Sequence, residues 1–160
     1  MPRRTFFSFH YDHDVWRANI VRNCNVVLGC GTAGFFDHSE YEEAEKKGAA
    51  GIQRMIDRHL SGTSVTVVLI GTYTASRPWV KYEIAQSIAR GNGLVGVYIH
   101  LIGSPTRPPT PAGPAPYVGG TTFATFTWAP GAHNVMVASL AHEIEKAGMR
   151  SDVIRKVRGI

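Results

Sequence analysis

Apolar positions along the chain fall into short continuous runs and helix-spaced stripes that alternate from one end to the other. Residues 5–10, Thr-Phe-Phe-Ser-Phe-His, form an aromatic-rich run that predicts a first strand. Asp12, His13 and Asp14 then supply helix-start residues. Val15, Trp16, Ala18, Ile20 and Val21 give an apolar face for a helix ending near Asn23. Residues 25–29 read as a short second strand, and residues 29–41 as an irregular, glycine-containing stretch. Residues 40–60 carry a helical stripe (Ile52, Met55, Ile56, Leu60), with a charged first half that reads as a separate solvated turn.

Residues 64–71 make the strongest strand in the chain. Their unbroken β-branched and aliphatic character suits a strand covered on both faces, as in a parallel sheet. A polar loop, residues 72–77, leads to Pro78, whose missing N–H is tolerated in the first turn of a helix that runs to about Arg90. Residues 94–99 are another buried strand. Residues 102–120 hold six prolines, form too long a connection to be passive, and are expected to cover a ligand site. Residues 123–128 read as an edge strand and residues 134–149 as a last helix. The alternation of strand and helix predicts an α/β fold, a flavodoxin-like three-layer sandwich with a central, mainly parallel sheet. A single domain, residues 1–149, is followed by a basic tail, residues 150–160, expected to be dispensable.

Composition narrows the function classes. Of the 160 residues 44% are hydrophobic and 18% charged, too apolar for disorder. Neither strongest run, residues 65–70 or 94–99, approaches the roughly 20 residues of a membrane span. No signal-peptide pattern follows Met1, so the cytosol is the expected compartment. The net charge of +5 is scattered, which argues against a nucleic-acid binder and suits attraction of a phosphorylated metabolite. Cys24 and Cys30 match no zinc spacing and read as two reduced, buried thiols. His10 and His13 have no evident third partner, so no metal site is expected. The letters GxGxxG at residues 29–34 follow a weak strand and open no helix, and read as a loop.

In an open parallel sheet, ligands sit beyond the carboxyl ends of the strands. The titratable residues expected there are few: His10, Asp12, His13, Asp14, Arg77 and Glu83. Phe6-Phe7-Ser8-Phe9 resembles the first-strand box of TIR domains, and Ser76-Arg77-Pro78-Trp79-Val80-Lys81-Tyr82-Glu83-Ile84 resembles their Ser-x-x-Trp-x-x-x-Glu segment. Within that family the chain is most similar to the TIR-like proteins of the bacterial Thoeris anti-phage system, the ThsB type. There a Phe-Ser-Phe-His strand leads into Trp-Arg and Val-Arg-Asn, here Trp16-Arg17 and Val21-Arg22-Asn23. The Arg-Asp…Pro-Gly loop of receptor and adaptor TIR domains has no match in residues 29–41.

The resemblance implies an enzyme that cleaves NAD+ at the nicotinamide–ribose bond, with NAD+ as substrate and no separate cofactor. It implies Glu83 as the catalytic residue; spacing alone would leave Glu83 an exposed carboxylate complementing a helix dipole. It further implies a product related to cyclic ADP-ribose, a separate effector reached through that product, a phage-derived trigger and a possible homo-oligomer. Ser8, Phe9, His10, Asp12, Arg77 and Trp79 are the expected substrate-binding set. For Phe9 and Trp79 core packing stands beside that role, and His10 reads equally as a surface histidine. A non-enzymatic TIR assembly module is the alternative to the enzyme.

Overall fold

The computed structural model describes residues 3–28 and 38–160. Four strands, β1 (Thr5–Ser8), β2 (Val65–Ile70), β3 (Gly93–Tyr98) and β4 (Ala124–Thr127), pair in the order β1-β2-β3-β4. All three pairings are parallel. Five helices accompany them: α1 (Tyr11–Leu28), α2 (His38–Lys46), α3 (Gly48–Leu60), α4 (Pro78–Ala89) and α5 (His133–Arg158). This is the expected α/β flavodoxin-like sandwich.

The layers follow from the period-two alternation of strand side chains. Phe7, Val65, Val67, Leu69, Val95 and Val97 face one way and meet Ala18, Val21 and Cys24 of α1 and Leu140, Ile144 and Ala147 of α5. Phe6 turns the other way, against Ile52, Met55, Ile56 and Leu60 of α3. Val68, Ile70 and Leu94 meet Val80 and Ile84 of α4. Every residue of β2 is buried, which is why its sequence shows no alternation at all. At Gly93 a Cβ would lie 1.8 Å from the carbonyl oxygen of Ala147, so glycine is what lets α5 lie flat on the start of β3.

Several segments depart from the sequence reading. Residues 25–28 continue α1 rather than forming a strand: a few β-branched residues lose only tenths of a kcal/mol each in a helix that is already propagating. Gly29, the irregular segment through residue 37 and the second cysteine, Cys30, lie outside the described residues; Cys24 is a buried free thiol. The stripe at residues 40–60 is two helices, broken at Gly48, which has φ 72°. The polar loop before Pro78 contains a 3₁₀ turn, Thr74–Ser76.

The proline-rich connection between β3 and β4 runs against the exit of β2, where a Cβ at Gly113 would lie 2.3 Å from Thr72 O. It is a strap tied down by its own carbonyls. Arg17 Nε donates to Ile102 O at 3.0 Å and Arg17 Nη2 to Pro108 O at 3.4 Å, while Thr72 Oγ1 donates to Pro111 O at 2.6 Å. Arg17 is itself buried and paired with buried Asp14 at 2.9 Å. Asp14 in turn lies so close to Gly71 that a Cβ there would be 2.2 Å from Oδ2.

The expected basic tail is the second half of α5. Buried Ser151 donates to Gly91 O at 2.7 Å. Arg155 Nη2 donates to Thr63 O at 2.7 Å and to Asn92 Oδ1 at 2.9 Å. The positive charges that read as a solvated cluster therefore satisfy loop carbonyls at the amino-terminal edge of the sheet. No helix among the described residues is long and apolar enough to cross a membrane. Truncation after Met149 removes these charge-assisted bonds, each worth roughly 1.5–3 kcal/mol. The shortened protein should melt roughly 10 °C or more below the full chain in a circular-dichroism scan. Arg155→Met should reproduce part of that loss, and an unchanged melting curve for both would show that this half of α5 contributes nothing to the fold.

Candidate functional site

β1 ends in Ser8, and the chain turns through Phe9 and His10 directly into α1. The strand beside it, β2, leaves the sheet at Gly71 and returns as α4, with Pro78 in its first turn. These two exits flank a cleft that, together with the open space at its mouth, takes up about 560 Å³. β1 and the start of α1 contribute Phe7, Phe9, His10, Tyr11 and Asp12 to its wall; α2 adds Tyr41; α3 adds Ile52, Met55 and Ile56; and the region opening α4 adds Arg77, Pro78, Trp79, Val80 and Glu83. Among the described residues, none of the strap at 102–120 lines it.

Glu83 is the unusual group in this cleft. It sits on the sheet-facing side of α4, only 5% exposed. Ser8, fully buried at the end of β1, donates its hydroxyl to Glu83 Oε2. Burial pushes the Glu83 carboxyl up to about 8, and the Ser8 hydrogen bond opposes that shift. The main chain of Glu83 is held as well. Ser87 Oγ donates to Glu83 O at 2.7 Å and lies 2.7 Å from Thr66 Oγ1 of β2.

Five of the six expected substrate-binding residues share this cleft with Glu83: Phe9, His10, Asp12, Arg77 and Trp79. Ser8 does not line it and reaches the cleft only through Glu83. Phe9 serves both of its readings, since it is buried in the α1/α5 core and also lines the cleft. Trp79 does likewise: it packs partly on the Phe6 cluster, stands edge-on to Tyr82 and lines the cleft. His10 is half-buried, and its pKa is lowered by burial and by the Arg77 cation. Tyr82 is half-buried and donates to Asp57 at 3.2 Å.

An aromatic wall escaped the sequence reading. Tyr41 stacks on Tyr11 with ring centroids 4.6 Å apart and planes 11° from parallel, and Phe9 stacks behind Tyr11 at 6.1 Å. Tyr41 stood in a segment without clear periodicity, so nothing in the sequence joined it to residues thirty positions earlier. Such a face is suited to a flat ring.

His10, His13 and Asp14 bring one donor each within 4.8 Å of one another, a third partner that histidine spacing alone did not supply. Asp14 Oδ1, however, accepts from Arg17 at 2.9 Å and lies 3.1 Å from His13 Nδ1. Asp14 Oδ2 and His10 Nδ1, both buried, have no hydrogen-bond partner among the described residues.

The cleft and its two flanking boxes lie within residues 6–103, which match the family model described as Thoeris protein ThsB, TIR-like domain. The chain belongs to this family. A curated relative from Bacillus cereus (strain MSX-D12), named "Putative cyclic ADP-D-ribose synthase ThsB1", is 46% identical over 102 residues. The match covers 62% of this chain and 53% of the relative, so the chain spans about half the length of the curated protein it matches. In this ThsB-type TIR-like domain, Glu83 and the Ser8 strand both fall inside the matched region.

A carboxyl raised to about 8 in the folded protein, against an ordinary 4.5, sets the sign of a pH effect. Below the unfolded value both states are protonated and burial carries no charge penalty. As pH rises from about 4.5 toward 8 the unfolded chain ionises first and stability falls, by up to about 1.4 kcal/mol per pH unit. Urea unfolding at pH 5 and pH 8 should show Glu83→Gln gaining on the parent protein at the higher pH. Parallel behaviour of the two at both pH values would mean that Glu83 is solvated.

Proposed function

We propose that this domain cleaves NAD+ at the nicotinamide–ribose bond and passes the ADP-ribose part into a cyclised or conjugated signalling nucleotide. The observation that carries the reading is Glu83: one buried carboxyl, held between two strand exits, at the wall of a cleft lined by Phe9, Tyr11, Tyr41 and Trp79. Family membership and the name of the Bacillus cereus relative support it.

The chemistry asks little more of the protein. Nicotinamide leaves as a neutral molecule, so no strong acid is needed. The ribosyl centre develops positive charge, and a carboxylate beside the ribose stabilises it. Glu83 fills that role, Trp79 or the tyrosine wall takes the planar ring, and His10, Asp12 and Arg77 meet the ribose and pyrophosphate. The positive pyridinium ring of bound NAD+ favours the ionised form of Glu83. Substrate binding therefore drives off the proton that burial holds in place. We place this reaction in the cytosol. Its product acts on a separate effector, infection supplies the trigger, and self-association is part of the active form.

Glu83→Gln keeps the shape and loses the charge. Mass spectrometry of nucleotides should show NAD+ consumption reduced by about 10²–10³-fold in that variant. For the parent protein, kcat/KM should climb with pH and level off near the value of about 8 that the free carboxyl carries. Wild-type turnover by Glu83→Gln would overturn the assignment. A parent protein that consumes no NAD+ in phage-challenged cells yet binds a specific protein partner would favour an assembly module instead.

A further inference from the structure

Ser8 resembles a substrate contact in sequence, yet its side chain is fully buried and does not line the cleft, although Phe7 and Phe9 on either side of it do. Its backbone is fixed by the parallel ladder, where Ser8 stands opposite Val68. The hydroxyl donates to Glu83 Oε2. We propose that Ser8 is a positioning residue for Glu83: by holding one carboxyl oxygen against the end of β1, it leaves the other as the oxygen that faces the cleft.

The geometry supports this from two sides. A glutamate side chain has three rotatable bonds and loses substantial freedom when held in one pose. Glu83 is gripped at its carboxyl by β1 through Ser8 and at its carbonyl by Ser87, which is bonded to Thr66 of β2. Two neighbouring strands thus set both ends of the residue relative to the sheet. A hydroxyl donor also favours the ionised carboxyl inside an apolar surround, opposing the effect of burial. The functional consequence rests on the reading of Glu83 as the NAD+-cleaving carboxylate; the positional claim does not.

The test compares Ser8→Ala and Ser8→Cys with the parent protein in two measurements. The first is a carbon NMR titration of glutamate side-chain carboxyls in the ligand-free protein, with Glu83→Gln to assign the Glu83 signal. The second is the pH dependence of kcat and KM for NAD+. His10, Tyr11, Asp12, Tyr41 and Arg77, the other titratable groups on the cleft wall, are kept in every variant, so the difference reads Ser8 alone. Ser8→Ala should raise the Glu83 midpoint by about one unit and shift the acid limb of kcat by the same amount. It should lower kcat about tenfold and leave KM within about twofold. Ser8→Cys, similar in size and a weaker donor, should fall between, and it carries the test should the alanine variant fail to fold.

An unmoved Glu83 titration in a folded variant overturns the proposal. So does a raised KM with unchanged kcat, which would make Ser8 a substrate contact. A shifted titration in a protein that never consumes NAD+ upholds the positioning role and sinks the cleavage reading alone.

Discussion

A carboxyl group placed against the end of a parallel sheet must find a polar partner or give up its charge, and the front of this molecule is organised around that demand. Glu83 is buried because α4 packs its sheet-facing side onto β2 and β3. Ser87, one turn along the same face, ties the helix to Thr66. Ser8 answers from the neighbouring strand. The cleft is the space left in front of this arrangement, and it exists because β1 and β2 leave the sheet side by side and their following segments diverge.

The strands and the layering were legible in the sequence because their physics is local. β2 and β3 are buried on both faces and announce it with unbroken aliphatic runs. Pro78 marks the start of α4, where its missing N–H has no consequence. Glu83 and five of its neighbours on the cleft wall, Phe9, His10, Asp12, Arg77 and Trp79, were singled out in advance, the role of Glu83 through the resemblance to TIR domains, since spacing alone left it exposed. Tertiary contacts hid the rest. Tyr41 joins the cleft only because α2 folds back onto the start of α1. Ser8 read as a ligand contact because the partner of a strand-end hydroxyl depends on which helix face lies across from it. The last turns of α5 read as a tail because arginine looks solvated in sequence. Arg155 instead extends its stem over the protein and delivers its guanidinium to the backbone oxygens of Thr63 and Arg90 and to the side-chain oxygen of Asn92.

Buried polar groups connect these elements beyond the cleft. Arg155 meets Asn92, Asn92 donates to Thr66, Thr66 contacts Ser87, and Ser87 donates to the carbonyl of Glu83. The chain of contacts runs from the final helix, through the turn before β3, to the residue at the cleft wall. Asn92, Thr66 and Ser87 are short side chains in buried positions, so each must be satisfied or carry a desolvation penalty. The carboxy-terminal half of α5 is thus part of the same framework that orients the site, although it lies at the opposite edge of the sheet.

The proline-rich strap between β3 and β4 is held in part through main-chain oxygens, Ile102, Pro108 and Pro111 each offering a carbonyl to Arg17 or Thr72, and in part through residue identity, with Ile102 buried in the core and a Cβ at Gly113 due to meet Thr72 O at 2.3 Å. A carbonyl is common to all amino acids, so this mode of anchoring reads the path of the backbone and is blind to most side chains along it. Exposed positions of this stretch can change without loosening the crossover, provided the guanidinium and hydroxyl that hold it, the buried Ile102 and the small Gly113 remain. The family match breaks off at residue 103, where the strap begins. A strap anchored in this way fixes where β4 enters the sheet while leaving its exposed positions, such as residues 104–109, open to change.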